Sequence, residues 1–213
     1  MSFLTLSTPG RAELRIRGSS FIGHAAPAER EDAARAFLAA RAKEHFDATH
    51  NCSAWLLRDG TRRSNDDGEP SGSAGGPILT AIEGAGLTDC VVVVTRYFGG
   101  TKLGVGGLVR AYGEAAAAAL GAAPLRAGIS VVRLRVRYDY ADTAAVMRSL
   151  EAAETYEPEH GFADGGALGE LLLSVPEGGE LRFLETLRDA TAGSADANLI
   201  GHGVVYRPVD AGS

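Results

Sequence analysis

Hydrophobic positions along this chain change period several times, and each change marks an element. Residues 12–22 alternate weakly, with Leu14 and Ile16 set against Arg15 and Arg17, and predict a first strand. Pro27 then introduces a helix over 29–45, acidic in its first turn and carrying Arg41 and Lys43 in its last. Ala34, Phe37, Leu38 and the stem of Arg41 share one face of it. A second strand is expected at 51–57, a polar loop at 58–72, and a short helix at 77–83 that Gly84 and Gly86 stop. Residues 90–98 include four successive valines, the pattern of a strand buried on both faces. The helix predicted over 106–120 is rich in alanine, which lets it lie close on a sheet.

Residues 121–128 read as a linker, and beyond them the pattern restarts. From 129 to 138 it alternates strictly, with Val132, Leu134, Val136 and Tyr138 on one face and Arg133, Arg135 and Arg137 on the other. A helix follows at 142–153 with Asp142 as its N-cap, then strands at 155–161 and 167–175, a helix at 179–191 and a last strand at 198–206. That order, β-α-β-β-α-β, is the ferredoxin-like split unit. The fold class expected is α+β in two domains, residues 1–125 and 126–213.

Charge narrows the choice of function. The net charge of −6 is not evenly spread: residues 1–125 hold 13 basic and 13 acidic side chains, residues 126–213 hold 8 and 14. A global basic field that would steer nucleic acid is absent, so any such role rests on a local patch. The two cysteines, Cys52 and Cys90, match no zinc spacing and build no disulfide framework. The start of the chain lacks the pattern of a signal peptide, and the longest apolar stretch, 115–125, is too short to span a bilayer. A cytoplasmic protein without membrane association is expected.

The candidate chemistry lies between residues 64 and 112. The sequence GGTKLGVGG separates the valine strand from the alanine helix, with Gly99, Gly100, Gly104, Gly106 and Gly107 in it. Backbone N–H groups at a helix start favour an anion, and Lys102, flanked by Arg96 and Arg110, adds formal charge. No acid occurs between Thr95 and Gly113. The spacing is neither that of the P-loop nor that of the dinucleotide fingerprint. The same glycines equally suit a tight turn and close helix–sheet packing. Asp66, Asp67 and Glu69 put three carboxylates on a constrained turn, an accessory acidic cluster suited to metal, to proton transfer, to pairing with arginine, or to helix capping. Ser71 and Ser73 are not framed as nucleophiles. His24, His45, His50 and Cys52 have no second ligand pair, so neither a metal site nor a cofactor is expected. The Arg133, Arg135 and Arg137 row suits RNA if its sheet face is open, and otherwise a solvated or packed face.

The segments DDGEPSGSAGGP and VVVVTRYFGGTKLGVGGLVRAY resemble the core of the IMPACT family, whose bacterial members are called YigZ-type. SSFIGHAAP and DATHNCSAW extend the likeness more loosely, so that it covers residues 10–125. Ser20 stands where family members often carry a basic residue. The resemblance implies a first domain of the β-α type seen in a ribosomal-protein superfamily and in the fourth domain of elongation factor G. It implies a second domain similar to that factor's ferredoxin-like fifth domain. Eukaryotic relatives act in translational control through an additional N-terminal domain not present in this sequence. The resemblance transfers no catalytic residue.

Two functions follow as expectations. One is a non-enzymatic protein associated with translation regulation, touching RNA or the ribosome, or a protein partner in translation. Arg96, Lys102 and Arg110 would meet phosphates, and Tyr97 would stack on a base. The other is an enzyme acting on a small phosphorylated substrate or nucleotide with the same glycine-rich loop.

Overall fold

In a computed structural model, which describes residues 2–209, the chain divides into two compact units, 3–127 and 128–207. The first begins with β1 (Ser2–Leu6), β2 (Gly10–Ile16), β3 (Ser19–Pro27) and α1 (Glu31–Glu44). It continues through β4 (His50–Leu56), β5 (Arg62–Asn65), α2 (Gly75–Gly84), β6 (Cys90–Tyr97) and α3 (Val105–Gly121). Its main sheet has the order β2-β3-β6-β4-β5, and every paired neighbour in it is antiparallel.

The valine strand sits at the centre. Val92 and Val94 point into a core shared with Ile78 and Ile82 of α2 and with Leu108, Ala111 and Ala115 of α3. Val91 and Val93 point the other way, onto Ala34, Phe37 and Leu38 of α1. Alternate side chains of one strand therefore seal two cores, which explains its continuous hydrophobicity.

One expected element is two. Residues 12–22 do not form a single strand but a hairpin, β2 and β3, joined by Arg17 and Gly18 at φ 46° and 85°. Both central residues at positive φ are what a two-residue turn matching strand twist requires. The weak alternation runs through the turn, so periodicity alone does not reveal it. β1 and the four residues of β5 also lie outside the expected elements.

α3 lies directly on the hairpin because glycine faces alanine there. A Cβ on Gly23 would stand 2.4 Å from the Ala115 carbonyl oxygen and 2.9 Å from the Ala119 Cβ. Gly10 meets the Ala119 carbonyl oxygen at 2.3 Å in the same way.

The second unit is built on β7 (Leu125–Tyr138), which begins inside the stretch expected as a linker. It continues through α4 (Thr143–Glu151), β8 (Tyr156–Ala163), β9 (Leu168–Pro176), α5 (Glu180–Ala190) and β10 (Asp196–Pro208). β7 pairs with β9 and β10, and β8 pairs with β9. This is the ferredoxin-like arrangement. Val132, Leu134, Val136 and Tyr138 face Val146, Phe183 and Leu187 of the helices. On the other face Arg135 and Arg137 share one carboxylate oxygen of Glu170, at 3.6 and 3.2 Å, so part of that arginine row is neutralised.

The glycine contact is directly testable. Gly23→Ala should destabilise the protein by about 1–3 kcal/mol, as overpacking does. Gly121→Ala, where an added Cβ meets nothing within 4 Å, should be neutral or stabilising by up to about 1 kcal/mol. Urea unfolding of the two variants checks the contrast.

Candidate functional site: a glycine loop over a buried ion pair

β6 ends at Tyr97 and α3 begins at Val105, so the glycine loop spans 98–104. Its path is fixed by a backbone-to-backbone contact. A Cβ on Gly99 would lie 1.9 Å from the carbonyl carbon of Gly18, which only glycine permits. The Ser19 hydroxyl accepts the Gly99 N–H at 3.1 Å. Gly104, at φ 71°, turns the chain into α3, whose first turn carries no acid and whose cap has no side-chain hydrogen bond. The first N–H groups of a 17-residue helix thus lack a side-chain acceptor at this end.

Lys102 and Arg110 are exposed, and neither forms an ion pair among the described residues. Gly99, Gly100, Gly104 and Gly106 are exposed beside them, with Gly107 half-buried. The hairpin turn adds a cation that motif reading missed. Arg17 is exposed and unpaired among the described residues, next to the Gly18 backbone that touches Gly99. Ser20 on β3 donates to Glu13 at 3.1 Å.

Two of the expected contact residues are not on this surface. Arg96 is 5% exposed, and its Nη1 donates to Glu69 Oε1 at 2.6 Å. Its guanidinium lies 5.3 Å from the Phe21 ring centroid and 5.4 Å from that of Phe98. Position parity is the cause: Arg96 follows Val92 and Val94 toward α3, so it enters the interior. Tyr97 follows Val91 and Val93 toward α1, and its hydroxyl donates to Asp47 at 3.0 Å. The aromatic ring presented at the loop is that of Phe98, 46% exposed.

Glu69 is the centre of the buried group. Besides Arg96, its Oε1 accepts the Tyr112 hydroxyl at 2.7 Å, and His50 Nε2 stands 3.9 Å away. Tyr112 is fully buried, its ring edge-on to Phe21 at 5.2 Å. Its place on α3, four residues after Leu108 and three before Ala115, is the signal that could have marked it as inward-facing.

The other two acids are also engaged. Asp66 accepts the N–H groups of Gly72, Ala74 and Gly75 at 2.8, 3.0 and 2.8 Å, gathering the turn that leads into α2. Burial alone would raise its pKa, but these three N–H groups outweigh burial and hold it below the ordinary carboxylate value. Asp67 Oδ2 accepts the Asn51 N–H at 2.6 Å, and His50 Nδ1 donates to the Asp67 carbonyl at 2.6 Å. Cys52 donates to the Asp66 carbonyl at 3.0 Å. The acidic turn is thereby clipped to β4. Burial pushes the thiols of Cys52 and Cys90 up to about 12, so neither is a ready nucleophile. Among the described residues no cluster of three or more His, Cys, Asp or Glu side chains is placed to hold a metal.

This loop–turn pair lies inside a matched family segment. Residues 17–120 match the model for the "Impact N-terminal domain". A Thermus thermophilus protein, "IMPACT family member in pol 5'region", is 45% identical over 184 residues, covering 84% of this chain and 96% of its own length. The chain belongs to the IMPACT family. "IMPACT family member YvyE" of Bacillus subtilis is 47% identical over 115 residues, and "IMPACT family member YigZ" of Escherichia coli 41% over 116. These two matches span 53% and 57% of those proteins, so the chain aligns with little more than half the length of each.

A crystal structure described as that of "an hypothetical protein" superposes with TM-score 0.65 at 29% identity, covering 94% of this chain and 98% of its own. A second crystal structure, of a Thermus thermophilus protein, matches at TM-score 0.50 and 15% identity, covering 99% of this chain and 30% of that one, a likeness of fold alone. Among the described residues no helix is long and apolar enough to cross a membrane.

The Asp66 contacts make a pH-dependent prediction. Asp66→Ala removes the acceptor of three N–H groups and should cost about 0.5–2 kcal/mol near neutral pH, as loss of a helix cap does. A carboxylate whose native pKa is depressed stabilises the fold above its unfolded value and loses that contribution as pH falls through the native one. The Tm gap between wild type and Asp66→Ala should therefore close as the pH drops below the ordinary value of 3.8. A gap of constant size across that range would contradict the assignment.

Proposed function

We propose that this IMPACT family member is a cytoplasmic, non-enzymatic protein of translation regulation that binds RNA or the ribosome. The contact surface in this reading is the glycine loop 99–107 with Arg17, Lys102 and Arg110. The observation that carries it is the exposure of Lys102 and Arg110, without carboxylate partners among the described residues, at the uncapped, acid-free start of α3. A phosphate there meets free N–H groups, the positive end of the helix dipole and formal charge together. Exposed Phe98 supplies the stacking surface that Tyr97 does not. The neutral balance of residues 1–125 and the acidic remainder confine attraction to this patch.

Three cations predict modest, salt-sensitive binding. With three phosphates neutralised, the slope of log K against log salt should be about −2 to −3. Replacing Arg17, Lys102 and Arg110 by alanine should release the protein from ribosomes in low-salt co-sedimentation and flatten that slope, with Tm unchanged. Binding that ignores both salt and the triple variant would overturn the reading. A thermal shift with nucleotides or sugar phosphates, lost in the same variant, would replace it with the small-substrate enzyme.

A further inference from the structure

On the opposite side of β6 from Glu69, four side chains form a continuous polar chain that the nucleic-acid reading does not use. Tyr97 OH donates to Asp47 Oδ1 at 3.0 Å and lies 3.1 Å from His45 Nδ1. A phenol has one proton. With that proton on Asp47, the contact to His45 is made by its Nδ1–H donating to the Tyr97 oxygen. The network therefore assigns the lone pair of His45 to Nε2. At 3.3 Å from that atom is Nε2 of His24, a β3 residue only 5% exposed.

Two imidazole nitrogens facing each other at this separation have a specific use. Metal–nitrogen bonds of about 2.0–2.1 Å place adjacent ligands of a tetrahedral ion roughly 3.3–3.4 Å apart. The geometry points to a site for one divalent transition-metal ion of the imidazole-preferring class, such as zinc, ligated by His24 Nε2 and His45 Nε2. Without metal, the His24 Nε2 proton bridges the two rings. Metal takes the place of that bridge, the His24 proton moves to Nδ1, and no net proton is released.

The surroundings fit such an ion. The Asp47–Tyr97 pair fixes the ring of His45 as outer hydrogen-bond partners do in metal centres. Glu44 Oε1 stands 3.9 Å from His45 Nε2, on a half-exposed side chain at the end of α1. Glu44 also pairs with Arg41 through Oε2, so an incoming ion competes with that guanidinium for the carboxylate. Asp47 and Glu44 are the acids facing the site, Arg41 and Arg11 the opposing cations. Two imidazoles, one movable carboxylate and water give an open, exchangeable site rather than a closed structural one, and among the described residues no cluster of three such ligands is preformed.

The test is titration of the full chain with zinc by calorimetry and with cobalt(II) by visible absorption. One equivalent should bind, with the intense cobalt bands of tetrahedral coordination and a metal-dependent rise in Tm. His24→Ala and His45→Ala should each abolish the bands. Tyr97→Phe should weaken affinity by about 10-fold or more, the usual loss when an outer partner of a ligating histidine is removed. His50→Ala, on the Glu69 side of the sheet, should bind as wild type. His45 is partly accessible, so its variant keeps the test valid if His24→Ala misfolds. No binding to the wild type, or binding indifferent to His45, overturns the proposal.

Discussion

The buried pair between Arg96 and Glu69 is the constraint on which the rest of the site depends. It joins two segments that the sequence separates by 27 positions, the acidic turn before α2 and the end of the central strand before the glycine loop. Neither charge has water to fall back on: the side chains are 6% and 4% exposed. In such surroundings an ion pair does little for net stability, yet losing one partner is severe because the other charge is stranded. The pair therefore acts chiefly on position. Tyr112 adds a third point from α3, so one carboxylate oxygen ties turn, strand and helix together.

β6 sorts the chemistry of the molecule by parity. Its even positions carry Val92, Val94 and Arg96 toward α3, and its odd positions carry Val91, Val93 and Tyr97 toward α1. One strand thus ends in two polar groups on opposite faces, Arg96 with Glu69 on one and Tyr97 with His45 on the other. The surface cations come from elsewhere: Lys102 and Arg110 from the loop and helix, Arg17 from the hairpin tip that rests on Gly99. Interior charge shapes the loop, and the exterior charge lies in solvent.

Much of this was legible in the residues, and the failures have physical causes. The four valines announced a strand covered on both faces, and the alternation at 129–138 announced which side of β7 faces its helices. Extending the same alternation past Val94 would have sent Arg96 inward. The acid-free composition of 95–113 drew it outward instead, because the counter-acid lies in a different loop. Composition within a segment cannot register a partner brought in by folding. Arg17 was hidden for a related reason. Its turn has arginine rather than asparagine or aspartate at the first left-handed position, and its relation to Lys102 exists only through the Gly18–Gly99 contact. The three acids left metal, proton transfer, pairing and capping all open, because their partners, Arg96, Asn51 and the N–H groups of 72–75, are brought to them by folding.

A double-mutant cycle on Arg96 and Glu69 tests the account most directly. Arg96→Met and Glu69→Leu should each cost about 3–5 kcal/mol in urea unfolding, because each leaves a buried charge alone. The double variant, with no charge left to strand, should lose less than either single one. Losses that simply add, with a coupling below about 0.5 kcal/mol, would mean the two charges are not joined in the interior. The glycine loop would then have to be held by something else.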